Sequence, residues 1–303
     1  MAEGRFSTFD PAVLDRLAGL SLVARTVVEG FMSGHHRSPH AGSSVEFSQY
    51  REYVPGDELK RIDWKVFARS DRLVVKEFVE ETNLALHLLV DSSESMAYSS
   101  LDWSKFDYAR WCAAALGQLT LMQRDTVGLV LFDDEHRKRV SPGNGAPQQK
   151  AIIDLLEGAE AQGPTGIGKV LNWVGTRLSR RGIIAIFSDF FDDPEEIAGG
   201  LRRLKFAGHE PILFQILDPQ EVHFDFGNQI KLDGLEASGS MRVDAKAIRA
   251  AYLAEVERHN DLLSKEASSL NVDIVRIDTT QPLDAVLSTY LAHRSVRARG
   301  GHR

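Results

Sequence analysis

Apolar positions recur along this chain with two different periods. Between Pro11 and Phe31, the residues Leu14, Leu17, Leu20, Leu22, Val23 and Val27 build an apolar face. Asp10 stands at the N-cap position and Pro11 at the first helical position, which together predict one amphipathic helix. From Ser33 to Ser48 the chain turns to His, Gly, Ser and Pro, the chemistry of a loop. A polar stretch from Gln49 to Asp71 follows, then a predicted strand at Leu73–Val79. After this the pattern is regular. Short apolar runs at Leu84–Val90, Val127–Phe132, Ile183–Phe187, Ile212–Leu217 and Val272–Ile277 read as buried strands. Helices are predicted at Ser104–Met122, Gln148–Leu156, Gly168–Leu178, Pro194–Phe206 (capped by Asp193), Ala245–Ser268 and Pro282–Ala292. The polar, glycine-containing stretch Val222–Val243 reads as a hairpin-like insertion, and the basic tail Arg294–Arg303 as a frayed end.

Apolar strands alternating with helices predict an α/β fold, a three-layer Rossmann-like domain around a mainly parallel central sheet. The expected organisation is an N-terminal helix and signature segment over 1–82, the α/β domain over 83–293 with its insertion at 222–243, and a tail over 294–303. In such folds ligands bind outside the carboxyl ends of the strands, so the residues that follow each strand are the ones to read.

Composition narrows the function classes. The 303 residues carry 36 Lys plus Arg against 43 Asp plus Glu, a formal charge of −7, with 43% hydrophobic residues. That is the balance of a globular protein, and its acidity argues against a broad nucleic-acid-binding face. One cysteine, Cys112, excludes an internal disulfide and any multi-cysteine zinc site. No apolar run approaches the roughly 20 residues that span a bilayer, so no transmembrane segment is expected. The polar N-terminus is unlike a secretory signal, and a cytoplasmic location is expected.

Oxygen-bearing residues follow the strands. The first buried strand ends in Asp91, Ser92, Ser93, Glu94 and Ser95, and the third ends in Ser188 and Asp189, followed by Asp192 and Asp193. Between them Gly163, Pro164, Thr165 and Gly166 lead into a helix. Taken singly, each is an ordinary cap or turn residue. Taken together, Asp91, Ser93, Ser95, Thr165 and Asp189 form an oxygen-only set suited to a hard cation, Mg²⁺ foremost, with Mn²⁺ or Ca²⁺ as substitutes.

The spacing Asp91-x-Ser93-x-Ser95 with Thr165 and Asp189 resembles the metal-ion-dependent adhesion site of von Willebrand factor A domains, and the order of elements from Leu84 to Ala292 resembles that fold. Upstream, Gly34, His36, Ser38, Glu46-Phe47, Arg51, Tyr53, Gly56-Asp57, Arg61, Asp63-Trp64 and Ala68-Arg69 resemble the N-terminal signature of the bacterial family called domain of unknown function 58. The two resemblances cover nearly the whole chain. They imply a non-enzymatic adaptor or chaperone-like role beside a MoxR-type AAA+ ATPase. Ser93, Ser95 and Thr165 would be direct metal ligands, Asp91 and Asp189 would act through waters or hydrogen bonds, and a partner's Glu or Asp would fill an open position. Many relatives carry N-terminal membrane helices, and this chain resembles the short form without them.

Rival readings exist. Gly163–Val170 nearly spells a P-loop, but Val170 stands where Ser or Thr should hold Mg²⁺, and no buried strand precedes it. A haloacid-dehalogenase-like phosphatase would use Asp91, Thr165, Lys169, Asp189 and Asp193, but Ser93 stands where its acid/base Asp is required. A scaffold with a vestigial metal site is the third possibility. His35, His36 and His40 read as a solvated loop and Cys112 as core. Trp64 is a candidate anchor for the N-terminal segment. Arg51, Asp57, Arg61 and Asp63 would form either an internal ion-pair network or a partner surface.

Overall fold

The computed structural model describes residues 9–34, 46–54, 62–79, 85–134, 136–178, 181–226, 229–233 and 240–300. In chain order the elements are α1 (Pro11–Leu14), α2 (Leu20–Gly34), β1 (Glu46–Glu52), α3 (Trp64–Ser70), β2 (Val74–Val79), β3 (Ala85–Asp91), α4 (Lys105–Met122), β4 (Thr126–Phe132), β5 (His136–Gly143), α5 (Gly145–Glu157) and α6 (Ile167–Arg177). They continue with β6 (Gly182–Ser188), α7 (Pro194–Phe206), β7 (Glu210–Leu217), α8 (Pro219–His223), β8 (Gln229–Asp233), β9 (Ser240–Asp244), α9 (Ala245–Ser269), β10 (Asp273–Asp278) and α10 (Asp284–Gly300). A short 3₁₀ turn, Glu94–Ala97, follows β3.

These elements divide into two compact units, one of residues Met1–His35 with Leu84–Arg303 and one of His36–Asn83. In the larger, a six-stranded sheet runs in the order β10-β7-β6-β3-β4-β5, parallel except for the edge strand β5. The sheet is covered on both faces, which is why β3 and β6 are buried from end to end. Leu86, Leu88, Val90, Ile183, Ala185, Phe187 and Phe214 face one core with α2, α4, α5 and α10. Leu89, Val130, Ile184, Ile186 and Leu213 face the other with α6, α7 and α9. The expected three-layer architecture is therefore present. The chain adds β4 and β5 on one side of β3, then returns to add β6, β7 and β10 on the other. The junction of β3 and β6 is the switch point of the sheet.

Several details differ from the sequence reading. The single helix over Pro11–Phe31 is broken into α1 and α2, because Gly19 takes φ +88° and the Leu20 N–H is capped by Glu157 Oε1 of α5 at 2.6 Å. Both helices contribute to the larger unit's core, through Leu14, Val23, Val27 and Phe31. The compact units are thus drawn differently from a single N-terminal segment ending at 82. The antiparallel edge strand β5 was not foreseen, since an edge strand written His-Arg-Lys-Arg from His136 lacks the apolar run used to find strands. The basic tail continues α10 to Gly300 instead of fraying from Arg294. The insertion does contain a hairpin, β8 paired antiparallel with β9.

In the smaller unit, β1 pairs antiparallel with β2, and Asp63 Oδ1 caps α3 through the amides of Lys65 (2.9 Å) and Val66 (3.2 Å). Trp64 opens that helix with its ring edge-on to Phe67. His35, His36, His40, Gly56, Asp57 and Arg61 lie outside the described residues.

Candidate functional site

β3 and β6 run in parallel with Val90 opposite Phe187, so the next residues, Asp91 and Ser188, arrive side by side at the carboxyl edge of the sheet. Their register makes a hydrogen bond: Ser188 Oγ donates to Asp91 Oδ2 at 2.5 Å. The other carboxylate oxygen, Oδ1, accepts the Ser93 N–H at 2.9 Å, closing the turn that leaves the strand. This turn brings the hydroxyl oxygens of Ser93 and Ser95 to 3.2 Å from each other. Asp91 is fully buried. Burial, and next the charge of Asp189, push its carboxyl up from 3.8 to about 7, while Ser188 and Ser93 pull it down.

The loop bearing Thr165 is tied to the same turn. The Gln162 N–H donates to the Ser92 carbonyl and the Glu94 N–H to the Gly163 carbonyl, both at 2.8 Å. Thr165, two residues further on, is half-buried ahead of α6. The structure thus brings Asp91, Ser93 and Ser95 together, sets Asp189 beside them at the end of β6, and sets the Thr165 loop alongside. Asp193 caps α7 through the Glu195 N–H at 2.8 Å, and Lys169 is exposed on α6. The run Gly163–Val170 follows a helix and an irregular segment rather than a strand, which removes the P-loop reading.

Three residues of this site were missed by sequence reasoning. Ser188 is one. The second is Lys105, buried at the start of α4, whose Nζ donates to Asp189 Oδ2 at 2.8 Å and to Glu221 Oε1 at 2.6 Å. The third is Glu221 on α8, whose other oxygen accepts the Asp218 N–H at 2.9 Å. Burial alone would lower the Lys105 ammonium, but Asp189 and Glu221 outweigh it and hold the group above its ordinary value. Burial raises Glu221 and Lys105 opposes that rise. A signal for Lys105 was present. It falls with Tyr108, Ala109 and Cys112 on the buried stripe of α4, and it stands in the first helical turn, where a cation opposes the helix dipole.

The backbone after β6 is strained at the same place. Phe190 takes φ +58° although its ring is buried, and its carbonyl lies 2.9 Å from His259 Nε2. A bulky residue in the left-handed region costs about 1–2 kcal/mol. Asp189 meanwhile accepts the Phe191 N–H at 3.2 Å, and its carbonyl accepts from Gln215 Nε2 at 3.1 Å.

The donor set can be tested against Mg²⁺. Two oxygens in neighbouring octahedral positions, each roughly 2.1 Å from the ion, are about 3.0 Å apart. The Ser93–Ser95 separation of 3.2 Å is close to this edge. Among the described residues no group of three or more His, Cys, Asp or Glu side chains is gathered closely enough to hold a metal. A cation here would draw on hydroxyls as much as on carboxylates, and the residues present fit that chemistry. Cys112 is buried in the core, where burial pushes its thiol well above the ordinary range.

The chain is similar to proteins of known sequence and structure. It is 25% identical over 300 residues to the uncharacterized protein Rv1480 of Mycobacterium tuberculosis (strain ATCC 25618 / H37Rv), covering 97% of this chain and 93% of that one. The same values hold for the uncharacterized protein Mb1516 of Mycobacterium bovis. Among solved structures, the conserved hypothetical protein BatB of Bacteroides thetaiotaomicron superposes with a TM-score of 0.50 at 12% identity, covering 70% of this chain and 98% of that one. The SpRpn10 VWA domain superposes with a TM-score of 0.43 at 12% identity, over 68% and 94%. The larger unit has the von Willebrand factor A-type fold. No described helix is long and apolar enough to cross a membrane. Residues 49–262 match the family described as protein of unknown function DUF58, and the chain belongs to that family.

Proposed function

We propose that this protein is a non-enzymatic interaction module that binds a divalent cation, Mg²⁺ in the cell, at the carboxyl edge of its sheet and uses it to dock a partner's carboxylate. Ser93, Ser95 and Thr165 would ligate the ion directly. Asp91 and Asp189 would orient those hydroxyls and the ion's waters. The observation that carries this reading is the Ser93–Ser95 hydroxyl pair, fixed at 3.2 Å by a turn whose amide is bonded to Asp91. Hydroxyl ligands donate no net charge, so the ion keeps the electrophilicity needed to accept an outside Glu or Asp.

The partner we infer is a MoxR-type AAA+ ATPase, as the family resemblance implies, with the pair acting in protein assembly or remodelling in the cytoplasm. A phosphatase reading is less well supported, because both oxygens of Asp91, the required nucleophile, are already hydrogen-bonded. Titration calorimetry with Mg²⁺ and Mn²⁺ on the native chain and on Asp91→Ala tests the site: binding in the first and none in the second is expected, and equal binding in both would remove the assignment. Affinity capture from the native cell with Mg²⁺ and with EDTA tests the docking. An ATPase retained only with Mg²⁺ is expected, and capture indifferent to EDTA would mean a scaffold whose metal site is vestigial.

A further inference from the structure

One residue of this site, Asp189, is already paired with a cation in the structure, a lysine. Lys105 Nζ is buried, 2.8 Å from Asp189 Oδ2 and 2.6 Å from Glu221 Oε1, and lies 5.5 Å from the centre of the Phe191 ring. A buried ammonium is tolerable only when paired, and here it has two carboxylates on opposite elements. One of them, Asp189, is also a residue that a metal ion would draw on. The other is fixed in place independently of the metal site. Glu221 Oε2 accepts the Asp218 N–H, and Asp218 in turn binds the Ser100 amide at 2.8 Å and the Ser100 hydroxyl at 2.5 Å. Lys105 is therefore held between a carboxylate the metal would share and one it would not.

We infer that Lys105 is the positioning residue that sets the cation affinity of this site, acting as a built-in counter-ion that a divalent metal must share Asp189 with. This rests on the metal-docking reading above and adds its regulation. Without metal, Lys105 neutralises part of the charge of Asp189 and Glu221, so the site stays folded. When a divalent ion draws on Asp189, Glu221 still pairs Lys105, so no buried ammonium is stranded. The fixed positive charge weakens the hold on the metal alone. A partner's carboxylate restores the missing negative charge, so metal and partner bind together better than either does alone.

The test is Mn²⁺ titration of the full chain at pH 8, with urea unfolding in EDTA as the structural control. Lys105→Met is expected to bind Mn²⁺ about tenfold tighter or more, since one positive charge beside the ion is gone. Glu221→Gln is expected to bind about threefold weaker or worse, since Lys105 then rests wholly on Asp189. A merely structural salt bridge would lower stability in both variants without moving affinity in opposite directions. Weaker or unchanged binding in Lys105→Met overturns the inference while leaving the docking reading intact. Binding in Lys105→Met with none in the native chain sustains the inference and removes native metal docking. No binding in any form overturns both. Should Lys105→Met fail to fold, Glu221→Gln decides alone: weaker binding sustains the inference, and equal or tighter binding overturns it.

Discussion

Replacing Asp91 by Asn should stabilise the metal-free protein at alkaline pH while destroying the proposed site. In the folded chain the carboxyl is raised from 3.8 to about 7, chiefly by burial and next by Asp189. At about 1.4 kcal/mol per unit, ionising it in place costs about 4 kcal/mol relative to the unfolded chain. Because the folded value is the higher one, the stability contributed by Asp91 is fully present below pH 3.8. It is lost as pH rises through about 7. Asn has the same shape and no charge, so it escapes this cost. Its amide has one acceptor oxygen where the carboxylate has two, so with that oxygen on the Ser93 N–H the bond donated by Ser188 Oγ is lost, at about 1 kcal/mol. Asp91→Asn should therefore gain about 2–3 kcal/mol at pH 8 in EDTA. The gain should shrink to within about 1 kcal/mol at pH 5. Urea unfolding midpoints of the two proteins at pH 5 and 8 measure this directly. A variant less stable than the native chain at pH 8, or a difference that does not change with pH, would refute the reasoning.

Three further outcomes follow from the same geometry. If the proposed site binds metal through ionised Asp91, Mn²⁺ affinity by calorimetry should be about tenfold weaker at pH 6 than at pH 8; a flat profile would show that Asp91 does not feel the ion. Gly182→Ala would place a Cβ 2.0 Å from the Ala85 carbonyl oxygen where β6 and β3 begin their pairing, so the urea midpoint should fall by the equivalent of about 3 kcal/mol. An unchanged midpoint would mean that the two strands can part there without loss. Leu116→Ala removes a fully buried side chain of α4 and should cost about 2–5 kcal/mol by urea unfolding, with no change in Mn²⁺ affinity.

What could be read from sequence follows physical lines. The inner strands of the central sheet are covered on both faces, so they appear as nearly continuous apolar runs such as Leu84–Val90, broken only by His87, and Ile183–Phe187. A cap written in local chemistry was equally visible: Asp193 before Pro194. β5 was hidden because one of its edges faces no strand, and its residues are charged or polar. The α1–α2 break was hidden because the cap on Leu20 comes from Glu157, 137 residues away. The site divides in the same manner. Asp91, Ser93 and Ser95 belong to one turn and can be found by spacing, and Asp189 by its place after a strand. Lys105 and Glu221 become site residues only because α4 and α8 converge on the end of β6, a contact no local pattern encodes.

Three features that cost stability in this domain gather at one place. Asp91 is buried with its ionisation opposed, Phe190 is held in the left-handed region, and Lys105 is desolvated between two carboxylates. All three lie at the carboxyl ends of β3 and β6, where the strand order of the sheet reverses. Around them the inner strands β3 and β6 are buried from end to end between two apolar cores. Strain and buried charge concentrated at a topological switch point are what a binding site maintained at the fold's cost would look like, since a site kept only for folding would be replaced by packed apolar side chains. The same reasoning separates the site's two halves. On the proposed reading the serine hydroxyls and Asp91 would supply the geometry for a cation, and the Lys105–Glu221 pair the means of doing without one. On the proposed metal-docking reading a site with both halves would take up and release its ion, and the direction of the Lys105→Met effect on Mn²⁺ affinity is the measurement on which that reading turns.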